Sequence, residues 1–158
     1  AGAGTLHLLL VGDGMSRAGL QALAAELNDA DAVTFYGSVP AQEVPKFTAL
    51  ADALLISLAD TPDLGMTIPG KLASYMAAGK PVVAAMNGAG AEAVQQSGGG
   101  LVSAACDEGA LAENLLSLCA MPLPEREVMG QKAKAYYEKH YRRTELLRRL
   151  ETFILQGE

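Results

Sequence analysis

Five short apolar runs, each followed by a segment of helical spacing, constrain this chain more than any other feature. The runs are 5–11, 31–36, 53–56, 82–85 and 101–103, and the segments that follow are 16–27, 41–51, 69–78, 91–97 and 107–121. The first run, Thr5-Leu6-His7-Leu8-Leu9-Leu10-Val11, is nearly continuous in apolar residues, as a strand covered on both faces requires. Strands alternating with helices at this pitch predict an α/β fold, a parallel sheet with helices on both faces. With 50% of its 158 residues apolar, the chain can bury a sizeable core as one domain.

The punctuation between elements is local and specific. Gly12-Asp13-Gly14 breaks the first strand, and Leu20, Leu23, Ala24 and Leu27 then fall at helical spacing. A dinucleotide fingerprint needs three glycines at fixed offsets and a later acidic residue; only a fragment is present, so no dinucleotide cofactor is expected. Val44, Phe47 and Leu50 mark one side of the second helix, and Gly98, Gly99 and Gly100 close a later one. Asp107 is placed to cap a helix whose Leu111, Leu115 and Leu118 face the core.

The tail differs in kind. Pro122-Leu123-Pro124 reads as a hinge before two charged helices at 126–140 and 142–156, the second with Leu146, Leu147, Leu150, Phe153 and Ile154 as an apolar stripe. Arg142, Arg143, Arg148 and Arg149 are interrupted by Glu145 and Glu151, which favours a solvated face over a membrane-surface patch. The expected layout is therefore a sheet domain at 5–121, helices at 122–158 packed on it or extending from it, and a linker remnant at 1–4.

The chemistry concentrates at 67–81, Thr-Ile-Pro-Gly-Lys-Leu-Ala-Ser-Tyr-Met-Ala-Ala-Gly-Lys-Pro. Pro69 suits the start of a helix, and Gly79 with Pro81 stops it, so a short helix is expected over 69–78. Residues 57–65 read as the loop leaving the third strand. A strand, a loop and a free helix N-terminus aim unpaired N–H groups and the positive dipole end at one spot, which is an anion site. Lys71 sits poorly against that dipole unless a phosphate lies near it.

Composition excludes other classes. A net charge of −6 argues against general nucleic-acid binding, which needs a dense basic surface. No apolar run approaches the roughly 20 residues of a membrane span, and no segment reads as a signal peptide. Cys106 and Cys119 lack metal-ligand spacing and read as two core thiols in a reducing compartment.

Three stretches together resemble a known family. Leu-Leu-Leu-Val-Gly-Asp-Gly at 8–14, Val-Thr-Phe-Tyr-Gly-Ser-Val-Pro at 33–40 and Ile-Pro-Gly-Lys-Leu-Ala-Ser-Tyr-Met-Ala-Ala-Gly-Lys-Pro-Val at 68–82 are similar to the C-terminal, donor-binding half of retaining group 1 glycosyltransferases. These have the GT-B fold, two Rossmann-like halves, and include bacterial enzymes of cell-surface polysaccharide synthesis. Met129-Gly130-Gln131-Lys132-Ala133, Tyr137 and Tyr141 resemble the closing helices of that family.

The resemblance implies a nucleotide-diphosphate-sugar site, of UDP or GDP type, needing no metal or further cofactor. It implies Lys71 as the catalytic cation and Gly12, Gly14, Val39, Pro69, Gly70, Leu72 and Ser74 as donor-binding residues, Val39 toward the base and the 69–72 turn toward the diphosphate. Fixed amide dipoles and a cation would stabilise the charge that develops on the leaving diphosphate. Met66 and Ser74 stand where the family often carries two glutamates, and a serine offers one hydroxyl where a carboxylate accepts two bonds.

The family further implies a polysaccharide or lipid-linked acceptor, an N-terminal acceptor domain missing from these residues, and hence a fragment inactive alone. It implies a cytoplasmic place, with peripheral contact at the inner membrane face left open, and a sheet edge through which copies can pair. Two other readings stay open: a non-catalytic nucleotide-binding or regulatory domain of the same fold, and a flavodoxin-like receiver or interaction module. A receiver needs clustered aspartates after its strands, and only Asp13 and Asp60 come near such places.

Overall fold

A computed structural model describes residues 5–156; the expected linker remnant at 1–4 lies outside them. The chain forms two compact units, one ending at Phe47 and one beginning at Thr48.

The first unit holds two parallel strands, β1 (Leu8–Val11) and β2 (Val33–Gly37), connected through helix α1 (Arg17–Glu26). Leu8 pairs with Val33 and Leu10 with Phe35, after which the register shifts. That shift is where the chain turns: Gly12, at φ +137°, donates its N–H to the Gly37 carbonyl at 2.8 Å. His7 is a strand-end residue, as expected, with Nε2 2.8 Å from Thr34 Oγ1. The expectation that β1 is buried on both faces fails: Leu9 is 40% exposed and its neighbours are half-buried. β1 pairs with β2 alone among the described strands, so it is an edge, and edge strands are covered less. On α1, only Ala24 is buried; Leu20 and Leu23, and Leu27 at the C-cap, are exposed. Helix α2 (Val44–Leu50) follows a 3₁₀ turn at Ala41–Glu43.

The second unit carries a three-stranded parallel sheet in the order β3 (Leu54–Ser57), β4 (Val82–Ala85), β5 (Gly100–Ser103). Its register is regular, Leu54 opposite Val82 opposite Gly100 through to Ser57, Ala85 and Ser103. The parallel direction is as the spacing predicts, but the five strands are hydrogen-bonded as two sheets, since spacing fixes direction and not pairing. All four residues of β4 are buried. Successive side chains point to opposite faces, so both faces of this central strand are covered.

A one-turn helix, α3 (Pro62–Gly65), interrupts the loop expected at 57–65 and leads to α4 (Gly70–Ala77). Helix α5 (Ala89–Ser97) joins β4 to β5 and ends on Gly98 in the left-handed region. Helix α6 (Glu108–Ala120) starts as expected, with the Asp107 carboxylate accepting from the Ala110 N–H at 2.9 Å. Pro122 is then the N-cap of α7 (Leu123–His140) and Pro124 lies in its first turn, so the prolines begin a helix and do not form the expected hinge. Proline belongs there because the N–H it lacks would have had no partner.

The core of this unit joins Ile56, Leu72, Met76, Val82, Ala84, Met86, Val94 and Ala133. Fully burying a side chain such as Leu72 is worth about 2 kcal/mol by apolar area. Gly130 lets α7 approach the end of α4 so closely that a Cβ there would overlap the Gly79 carbonyl.

Helix α8 (Arg143–Gln156) ends the described chain with its apolar stripe exposed. Arg148 and Arg149 both donate to Glu145, at 2.7 and 3.0 Å. These bonds hold the Glu145 carboxyl at about 2, well below its ordinary 4.5. The two thiols are not both in the core: Cys119 is half-buried, and Cys106 is exposed at φ +60° in the turn before α6. A reversed turn at a sheet edge, not a packing position, sets that cysteine's place.

Candidate functional site

Helix α4 is built for a free N-terminus. Pro69, at φ −60° and ψ 132°, forms the N-cap without a side-chain cap bond, and Gly70 and Lys71 open the helix. The Leu72 N–H donates to the Pro69 carbonyl at 2.9 Å. No acceptor for the Gly70 or Lys71 amide exists among the described residues, and both residues are exposed. Leu72 and Met76 anchor the opposite side, each with no exposed surface. Exposed Gly70, Lys71 and Ser74 therefore share the outward face that their spacing dictates. Burial pushes the Tyr75 phenol up from its ordinary value, consistent with its place against the core.

Electrostatically, the first turn of α4 contains no acidic residue, and the Lys71 ammonium has no carboxylate partner among the described residues. Two free amides, the positive helix end and an unpaired cation thus coincide. That combination attracts a phosphate or carboxylate. It lies on the chain that leaves the carboxyl end of β3, the side of a parallel sheet where ligands ordinarily bind.

The sequence-expected residues divide between the units. Pro69, Gly70, Lys71 and Ser74 come together at the start of α4, while Leu72 turns its side chain into the core and its amide to Pro69. Gly12 and Gly14 follow β1 in the first unit; the Gly14 N–H donates to Asp13 Oδ1 at 3.0 Å. Val39 is half-buried two residues past β2. Met66 is 76% exposed and Ser74 is exposed, so neither replaces a glutamate by filling the core.

Some polar residues at these strand ends had no signal in the sequence. In the first unit Arg17 reaches back over the turn, 3.6 Å from Asp13 and donating to the Phe35 carbonyl at 3.4 Å. In the second, Asn87 Nδ2 donates to Asp60 Oδ1 at 2.9 Å, and Asn87 Oδ1 accepts from the Ala105 N–H at 3.2 Å. Only the i, i+4 spacing of Asp13 and Arg17 could have suggested any of this. No cluster of His, Cys, Asp or Glu able to hold a metal occurs among the described residues, and no described helix is long and apolar enough to cross a membrane.

Comparison with known proteins gives this geometry a context. The GDP-mannose-dependent alpha-(1-6)-phosphatidylinositol monomannoside mannosyltransferase of Mycobacterium tuberculosis is 31% identical over 153 residues, 93% of this chain and 38% of that protein. The chain thus spans 38% of the length of the curated relatives it matches. Alr3699/HepE of Anabaena, solved in complex with UDP, superposes with a TM-score of 0.80 at 19% identity, over 96% of this chain and 41% of that one. WaaG, a glycosyltransferase involved in lipopolysaccharide biosynthesis, gives 0.70 at 24% identity, over 96% and 38%. These likenesses show the fold, the Rossmann-like α/β architecture found in GT-B glycosyltransferases, and leave the receiver reading without support. A family model for glycosyl transferases group 1 matches residues 2–121, and the chain belongs to that family.

Proposed function

We propose that this chain holds the donor, a nucleotide-diphosphate sugar, of a group 1 glycosyltransferase, with the diphosphate on the α4 N-terminus. The observation that supports it is the pair of exposed, unclaimed amides at Gly70 and Lys71 beside an unpaired ammonium. In transfer the bond between the sugar's anomeric carbon and the diphosphate oxygen breaks, the same carbon bonds to an acceptor hydroxyl that gives up its proton, and negative charge grows on the departing nucleoside diphosphate. Amides and a cation fixed in place stabilise that charge without reorganising. Ser74, one turn on, takes a ribose hydroxyl in this reading, and Gly12, Gly14 and Val39 keep the donor-binding role the family resemblance implies. The acceptor, polysaccharide or lipid-linked, is bound in this reading by a part of the enzyme other than these residues.

The relatives point to two nucleotides, GDP in the GDP-mannose of the mannosyltransferase's name and UDP in the Anabaena complex. Calorimetric titration with both UDP and GDP therefore tests the reading. The expected result is saturable binding of at least one, weakened about tenfold in Lys71→Ala, as loss of a charge-assisted bond predicts. Binding of neither, or equal binding by Lys71→Ala, overturns it.

Exposed Met66 and Ser74 favour a second reading, a nucleotide-binding domain without transfer. It predicts the same titration, but no sugar transfer when the chain is joined to an acceptor-binding half.

A further inference from the structure

The turn after β4, Asn87-Gly88, and the first residues of α5, Ala89-Gly90, meet the segment that carries the α4 N-terminus at three places. Asn87 holds the Asp60 carboxylate. Gly88, at φ +74°, lies so close to Gly65 that a Cβ would overlap the Gly65 carbonyl. A Cβ at Gly90 would come within 3.0 Å of Pro69 Cδ, on the N-cap itself. The contacts are therefore spread along the whole approach to α4, from Asp60 through Gly65 to Pro69. Asn87 also accepts from the Ala105 N–H, so one amide side chain joins the loops that leave β3, β4 and β5.

We infer that this turn sets the position of the Gly70 and Lys71 amides, and that Asn87 is a positioning residue for the diphosphate. The inference rests on the donor-site reading given above. Asn87 and Asp60 are both exposed, so their bond adds little to global stability. Its effect is geometric: it stops the 60–69 segment from sliding over the turn beneath it. A shift of the order of 1 Å there moves both amides off the anion they serve. Gly88 serves the same end, since a side chain there has no room against the Gly65 backbone, while a Cβ at Gly90 would press on Met86 Sδ as well as on Pro69.

An exchange of the two partners tests this. Asn87→Asp sets two carboxylates against each other and keeps the acceptor for Ala105. Asp60→Asn together with Asn87→Asp restores all of the bonds with donor and acceptor exchanged. UDP and GDP are titrated against the chain and both variants, with thermal unfolding of each. Affinity is expected to fall about tenfold in the single variant at an almost unchanged midpoint, and to return to within about threefold in the double variant. Unaltered affinity in Asn87→Asp, or a double variant as weak as the single one, overturns the inference.

If the unaltered chain binds neither nucleotide, the donor-site reading falls, and amide hydrogen exchange judges the positioning role separately. Faster exchange over residues 66–71 in Asn87→Asp, reversed in the double variant, supports it. No change there overturns it.

Discussion

Lys71 occupies a position that a helix would choose for an acid. A cation in the first turn opposes the dipole by about 0.3–1 kcal/mol, and no described carboxylate offsets it. Lys71→Ala is therefore expected to raise the ligand-free stability by a few tenths of a kcal/mol in urea while lowering nucleotide affinity. Equal or lower stability together with intact affinity would mean the lysine is an ordinary surface residue. Asp107 makes the opposite case, an acid where a helix wants one; Asp107→Ala should cost about 1 kcal/mol. The placement of both residues at a helix start was legible in the sequence because it depends on neighbours within a turn. Asn87 was not, because its partners are 27 and 18 residues away and only the folded chain brings them together.

Helix α4 was legible to within a residue at each end, since Pro69 and Gly79 are hard punctuation. Gly79 lies at φ +70°, a left-handed stop that a side chain would strain. What the sequence did not show is the close crossing of α7 at that stop. Gly130→Ala is expected to destabilise the fold by about 1–3 kcal/mol, because the new methyl meets backbone that cannot give way. A chemical denaturation midpoint close to that of the unaltered chain would contradict the crossing.

Burial was harder to foresee than helix or strand identity. The apolar run of β1 looks like that of β4, yet one is an edge and the other a centre, and only pairing decides which. On α8, Glu145 gives a pH test. Its folded carboxyl is held below its ordinary 4.5, so the ion pairs contribute above that value and are lost as pH falls through about 2. NMR titration of the carboxyl should place its midpoint near 2, and Arg148→Ala should move it upward; a midpoint near 4.5 in the unaltered chain contradicts the bonded arrangement.

Across the whole molecule, the alternation of strand and helix announced an α/β fold with parallel strands, and the family match over residues 2–121 agrees with the resemblance carried by 8–14, 33–40 and 68–82. The division of the strands into sheets of two and three was not legible, since hydrogen-bond pairing between runs leaves no trace in their spacing. The proposed donor binding, by contrast, turns on a few atoms at the start of one helix. NMR spectra of the isotope-labelled chain, followed residue by residue as UDP or GDP is added, report on those atoms individually. The account predicts saturable shifts of the Gly70 and Lys71 amide resonances, with the amides of α8 unmoved. Saturable binding that leaves Gly70 and Lys71 undisturbed would contradict it.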